Sequence, residues 1–411
     1  MDPEWSHDRS RRSILVEETL QKFEKQTGIT VKHLPAPETS LQQLNVMQAL
    51  LGKDGSPDVV GIDMVWSGVL AGDLIDLKPS FQPELSTVDP EVVASYTVGG
   101  KVVAVPYHTN VGILEYRTDL LKKYGYRTPP QTWSELEKMA LRIQQGERAA
   151  GDKNFWGFVW PGAADEGLTC LALEWQMSEG GGRIIEANRT ISVNNERALQ
   201  SWKRAAHWIG WISPPSVTAY EEWDTINHFD HSLEAAFRRG WTSDYFLTNP
   251  AHTQIYGKVG YTSVPSGSQQ GVVTLGGFGL GVSRNSKRQA EAMALVKFLF
   301  KEEEALEASR ATAEVPREAE VYRLPTVLKA YSKSLPPGQP RGNDTVSRPS
   351  AVTGKNYERV SLAYAQAVHS VLTGKSSASD AAAALQTELE NITGFTKASP
   401  ESSQTANTRL K

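Results

Sequence analysis

The order of apolar patterns between Ile29 and Asp63 restricts this chain more than any other feature. Ile29 to Leu34 alternates apolar and polar side chains, as a half-buried strand does, until Pro35 and Pro37 end it. Leu41, Leu44, Met47 and Leu51 then recur at helical spacing before Gly52. Pro57 to Asp63 is a short apolar run between turn residues, the pattern of a buried parallel strand. Strand, helix, strand in that order requires crossover connections and therefore an α/β sheet. Open sheets of this kind gather ligand groups at the carboxyl ends of their strands. Asp63 lies at such an end, and Trp66 follows about one turn later.

The same reading extends along the chain. Lys101 to Pro106 and Val111 to Tyr116 read as two strands joined by Tyr107-His108-Thr109-Asn110. A helix opens near Trp133, with Thr132 or Ser134 as its cap. Asn194 to Trp211 is an amphipathic helix ended by Pro214-Pro215, and Val272 to Val282 a glycine-laden strand pair. Asn285-Ser286 caps a long helix, and Tyr357, Val360, Tyr364, Val368 and Val371 mark another. The chain after residue 398 is a polar tail.

At 411 residues the chain has room for two or three domains. Its 43 basic and 47 acidic side chains give a net charge of −4, with no long like-charge block, so nothing marks it for nucleic acid. No run of apolar residues is long enough for a membrane span. The single cysteine, Cys170, excludes an internal disulfide and a thiolate zinc cage, and its apolar neighbours make it a buried small residue. No metal site or cofactor is called for. His228 and His231 lack a third ligand in sequence reach and read as a solvated loop. Gly276 to Gly281 does not open directly onto a helix, so its glycines serve close backbone approach rather than a phosphate cradle.

What remains is a set of aromatic rings beside carboxylates and amides on short turns. Asp63 with Trp66, Tyr107 with Asn110, Trp160, Trp241 with Tyr245, and Phe278 all fall at strand ends or loops. A sugar presents apolar C–H faces that stack on rings, and hydroxyls that need paired donors and acceptors. About two-thirds of the eleven tryptophans are expected in core packing instead.

At these residues the sequence resembles the extracellular solute-binding proteins of ABC transporters, the group of maltose- and trehalose-binding proteins. The likeness is carried by Phe23 to Val31, Pro57-Asp58-Val59 leading to Asp63-x-x-Trp66, Gly100 to Pro106, Tyr116 to Leu121 and Pro129 to Leu136. It continues through Ala235-Ala236-Phe237 with Trp241, Gly276-Gly277-Phe278, Ser283-x-Asn285-Ser286-Lys287, Arg348-Pro349 with Tyr357 and Ser361, and Leu372 to Lys375. The resemblance implies a two-lobed periplasmic binding-protein fold of type II, hinged, with the chain crossing between lobes near 108–110, 262–270 and 315–321. Lobe one is expected to hold 1–108 and 271–315, lobe two 111–262 and 320–398.

It also implies a monomer that binds a sugar in the cleft, here an α-glucosidic disaccharide such as trehalose or maltose, and docks on membrane permease subunits. By residue, Asp63 matches the hydroxyl-binding aspartate, Trp66 its aromatic neighbour, Trp241 the stacking tryptophan and Arg348 a sugar-binding arginine. Asn110 stands where an acid is usual, Phe278 where an indole is common, and Glu38 is a further candidate. Met1 to Trp5 lack a signal-peptide pattern. A bacterial periplasmic or lipid-anchored location then requires a targeting segment, and an opening strand, upstream. The competing readings are a glycoside hydrolase, which needs two carboxyl groups flanking one bond, and an intracellular sugar sensor.

Overall fold

Two long strands organise the molecule. The computed structural model describes residues 17–34, 40–51, 53, 57–242, 255, 257–312 and 344–397. In chain order the strands of the main sheet are β1 (Val59–Asp63), β2 (Val105–Arg117), β3 (Trp156–Val159), β4 (Ala235–Trp241), β5 (Val259–Thr262), β6 (Val272–Val282) and β7 (Asp344–Val346). They form one seven-stranded sheet in the order β1-β6-β2-β4-β3, with β7 on β6 and β5 on β2.

β2 and β6 each have different partners along their length. β2 pairs antiparallel with β6 from Val105↔Leu280 to Val111↔Leu275. From Gly112↔Trp241 onward it pairs with β4. β6 in turn pairs with β7 over Val272 to Thr274 and with β1 over Phe278 to Val282. Both strands therefore run unbroken from one half of the molecule to the other. The sequence pattern divides each in two. For β2 the polar stretch Tyr107 to Asn110 mimics a loop, yet it pairs with β6 through a register shift between Pro106 and His108. For β6 the glycines mimic a turn. Gly277, at φ +120°, instead lets the two strands approach: a Cβ there would lie 2.0 Å from the His108 carbonyl oxygen.

Two further expectations change. β1 is antiparallel to β6, not parallel, because β6 returns from the far half of the molecule. Ile29 and Val31 do turn inward toward Phe23, as the alternation required, but residues 29–34 form no ladder among the described residues. Residues 17–27 are helical, ahead of α1 (Ser40–Leu51).

Nine more helices matter for the site: α2 (Ser67–Leu70), α3 (Pro90–Ser95), α4 (Trp133–Ala149), α5 (Glu166–Ser178), α6 (Glu196–Trp208), α7 (Glu222–Ile226), α8 (Gln289–Thr312), α9 (Ser350–Thr353) and α10 (Tyr357–Leu372). Thr132 is the cap of α4, in a reciprocal capping box with Glu135. Asn195 caps α6.

Buried side chains gather in two large clusters. The first, around β1, α2, α3 and the start of β2, is mainly aliphatic, with Leu70, Leu77, Phe81 and Val92 fully buried. The second is built on tryptophans from α4, α5 and α6 together with Trp160, just after β3. Trp208 is its hub, 5.4 Å from Trp133, 5.5 Å from Trp175 and 5.6 Å from Phe158 by ring centroids. The indole N–H groups are satisfied: Trp133 donates to Ser178 Oγ and Trp160 to Ser213 Oγ, both at 3.0 Å, and Trp208 to Glu137 at 2.8 Å. Six of the ten described tryptophans are buried, close to the share expected for core packing. Among the described residues no helix is long and apolar enough to cross a membrane.

Candidate functional site

The polar groups between the two cores start from Asp63. As the last residue of β1 it caps the turn Met64–Trp66, its Oδ1 accepting Val65 N–H at 3.0 Å. The residues after it fix what surrounds it. Ser67 Oγ donates to the Ser95 carbonyl at 2.7 Å, and Ser350 Oγ bonds the Val65 carbonyl. Gly68 is packed so tightly on α9 that a Cβ would lie 2.2 Å from the Ser350 carbonyl oxygen. Arg348, two residues before Ser350, is thereby brought into the electrostatic reach of Asp63. Burial pushes the Asp63 carboxyl up, and the Arg348 guanidinium opposes that shift without cancelling it.

Arg348 is 7% exposed. It donates from Nη1 to Glu166 Oε1 at 2.6 Å and from Nη2 to the Leu275 carbonyl of β6 at 3.0 Å. Its Nε–H is buried and unpaired among the described residues. Glu166 is the first residue of α5, after the N-cap Asp165. It also accepts from Tyr357 Oη and, through Oε2, from Ser361 Oγ at 2.5 Å. Its side chain remains 41% exposed, so an oriented carboxylate faces solvent with three of its acceptor positions filled. Arg348 thus bonds a glutamate of the second core's helix while its charge also acts on an aspartate at the first core's sheet edge.

Trp241 ends β4 beside this cluster. Its Nε1 donates to Glu222 Oε1 at 2.5 Å, and the Arg239 guanidinium lies 4.0 Å from its ring centroid. Its edge approaches Gly276, which is paired with Asn110. Asn110 Oδ1 is 3.4 Å from Thr242 Oγ1. Phe278 stands opposite Asp63 in the ladder and is 41% exposed, an accessible ring beside an acid. Tyr107 occupies the register shift of β2, half-buried against the first core. A bulge at such a place re-aims a side chain.

Two rings move from site to core. Trp160 is 0% exposed, packs edge-on at 5.2 Å against Trp175 and spends its N–H on Ser213. Trp66 is 4% exposed within the first core. Neither offers a face to a ligand. Glu38 and Tyr245 lie outside the described residues. The acids that sequence reasoning missed are Glu166 and Glu222. An acid in the first turn of a helix reads as a dipole partner, and only the fold reveals that Arg348 reaches it.

Cys170 and His228 stand out in the sequence as well, one as a buried small residue and the other as part of a solvated loop. Cys170 on α5 is buried, and burial pushes its thiol up to about 12. His228 is held by Tyr220 Oη at 2.6 Å, within a π-helical turn rather than an open loop. No group of three potential metal ligands occurs among the described residues.

Two cores joined by continuous strands, with a buried arginine, a half-covered Trp241 and an exposed Phe278 between them, define a two-lobed binding protein. The comparisons give the family. The sequence profile of the bacterial extracellular solute-binding proteins matches residues 18–334, and the chain belongs to that family. A probable ABC transporter-binding protein of Deinococcus radiodurans is 40% identical over 375 residues, which is 90% of this chain and 88% of that one. A maltose-bound MalE3 of T. maritima superposes with a TM-score of 0.72 at 31% identity, covering 92% of this chain and 95% of the other. A cyclic α-maltosyl-1,6-maltose binding protein from Arthrobacter globiformis shares the fold, with a TM-score of 0.70 at 20% identity over 92% and 95% of the two chains.

Proposed function

We propose that the chain is the solute-binding component of an ABC importer and that its ligand is an α-linked glucose disaccharide such as trehalose or maltose. The observation that carries this reading is the buried Arg348, bonded to Glu166 and within electrostatic reach of Asp63, with Phe278 opposite Asp63 and Trp241 on the neighbouring strand end. Carboxylates accept from sugar hydroxyls, the Nε–H of Arg348 donates to one once cleft opening uncovers it, and the rings take the C–H faces. The MalE3 relative that binds maltose supports the choice of sugar.

In this reading lobe one comprises 1–108 and 271–315, lobe two 111–262 and 320–398, and the strap 344–353 lies against both. Sugar contacts to both lobes close the cleft, and the closed monomer, periplasmic or lipid-anchored, docks on its permease. The protein does no chemistry on the sugar. Glu166 already receives three protein donors, which suits holding a ligand rather than shuttling protons.

Calorimetric titration with trehalose, maltose, sucrose and a glycerophosphodiester, alongside a glucose-release assay, tests this. Micromolar binding of one α-glucosidic disaccharide without hydrolysis is expected. Binding of the glycerophosphodiester alone overturns the sugar reading, and glucose release overturns the binding-only role.

A further inference from the structure

Three segments meet on the carboxylate of Glu91, away from the groups described so far. Glu91 lies in the first turn of α3, where Asp89 caps the helix by accepting Glu91 N–H at 2.8 Å. Val92, next in sequence, is fully buried in the first core. Glu91 Oε1 accepts from Arg183 Nη1 at 2.8 Å, from Ser347 N–H at 3.1 Å and from Ser347 Oγ at 2.9 Å. Burial disfavours the ionised carboxyl, but Arg183 and Ser347 outweigh it and hold Glu91 below its ordinary value.

Arg183 belongs to the other half of the molecule. Ile184 and Ile185, which follow it, are buried in the tryptophan core. Its turn is stiff: Gln176 Nε2 donates to the carbonyls of Gly181, Gly182 and Arg183 at 3.2, 2.9 and 3.1 Å. Arg183 N–H is held by Glu186 at 2.8 Å. Ser347 immediately precedes Arg348. Adjacent residues of one strap are therefore pinned to opposite halves, Ser347 to Glu91 and Arg348 to Glu166.

An isolated ion pair with side chains 31% and 26% exposed would count for little. Here the same oxygen also fixes the backbone leading to Arg348. We propose that Glu91, Arg183 and Ser347 form a clasp between the lobes, in which Glu91–Arg183 holds the halves together and Glu91–Ser347 keeps Arg348 aligned toward the ligand. Glu91 is then a positioning residue and not a ligand contact. The affinity side of this inference rests on the sugar-binding reading. The joint between the halves does not.

Arg183→Met, Glu91→Gln and the exchanged pair Glu91→Arg/Arg183→Glu test it in the whole chain. Small-angle scattering without sugar reads the separation of the halves, and stopped-flow tryptophan fluorescence reads maltose release. Arg183→Met should enlarge the unliganded radius of gyration and speed release by about 2- to 5-fold. Glu91→Gln should speed release by about 10-fold, because it weakens both arms. The exchanged pair should restore the radius of gyration but not the release rate, since an arginine at position 91 offers Ser347 no acceptor.

Wild-type radii and release rates in both single variants, with melting midpoints unchanged, would overturn the clasp. An exchanged pair that stays enlarged would overturn its charge-pair arm. If the wild-type chain gives no maltose signal, the sugar reading fails separately. The unliganded radii then decide alone, and no enlargement in Arg183→Met sinks the clasp.

Discussion

Arg238 and Arg239 are neighbours on β4 that leave it on opposite faces, and each meets a different glutamate. Arg238 donates to Glu115 of β2 at 3.0 Å and to Thr225 Oγ1 at 2.9 Å. Arg239 donates to Glu174 of α5 at 2.6 Å and to Thr274 Oγ1 of β6 at 3.0 Å. Both pairs are at most 2% exposed. Burying an ion pair costs about as much in desolvation as it returns in attraction, so neither pair is explained by stability alone.

Their surroundings differ. Glu174 also accepts the N–H and Oγ1–H of Thr274, at 2.9 and 2.7 Å, and Arg239 covers a face of Trp241. The Arg239 pair therefore joins α5, β4 and β6 where β2 changes partners, directly behind the candidate sugar platform. The Arg238 pair braces β2, β4 and α7. One pair positions the site, and the other holds the sheet on which the site is built.

Removing one member of either pair breaks that comparison most severely. Glu174→Gln and Glu115→Gln should each cost about 3–5 kcal/mol of folding stability by stranding a buried arginine, read by urea unfolding. If both fold, only Glu174→Gln should also weaken sugar binding. Equal losses of affinity in the two would erase the distinction.

Next in size is Gly112, which sits at the change of partners. A Cβ there would lie 2.4 Å from both Arg239 Nη2 and Glu174 Oε1. Gly112→Ala should cost about 1–3 kcal/mol of stability from overpacking and lower affinity with it. The counterpart Gly240→Ala, whose Cβ would lie 2.6 Å from Glu115 Oε1, should cost stability alone.

Trp241→Ala and Asp63→Ala should each weaken binding by about 1–3 kcal/mol in titration calorimetry, with little change in unfolding. Trp160→Ala should do the reverse. Full affinity in both site variants would move the site elsewhere.

The smallest effect is on pH. The folded-state carboxyl of Asp63 lies above its ordinary 3.8, so its contribution to stability falls as pH rises from 3.8 through the raised value. Sugar binding should move oppositely, weakening as acid protonates Asp63. Glu91 has the contrary sign: its stabilisation is complete above 4.5 and is lost as pH falls through its depressed value. Titrations of Asp63→Asn and Glu91→Gln between pH 3 and 6 would separate the two.

Local chemistry made much of this legible in the sequence. The Thr132 cap, the buried Cys170 and the position of Asp63 at a strand end follow from neighbours a few residues away. Long-range pairing did not follow. β2 and β6 read as broken because residues that bridge two lobes must be polar or small where they pass the cleft. Trp160 and Trp241 look alike as sequence. The first is enclosed by Trp175 and Trp208, and the second is left half-covered by Arg239. Glu166 was hidden because its partners Arg348, Tyr357 and Ser361 are about 190 residues away.

The uninterrupted β2 and β6 make the halves inseparable. Any cut between the cores severs both strands in the middle of their ladders and leaves each fragment with raw hydrogen-bonding edges. Neither lobe is a module that a gene could lend to another protein. Swapping specificity between relatives is accordingly a matter of exchanging side chains along the seam, not of trading lobes.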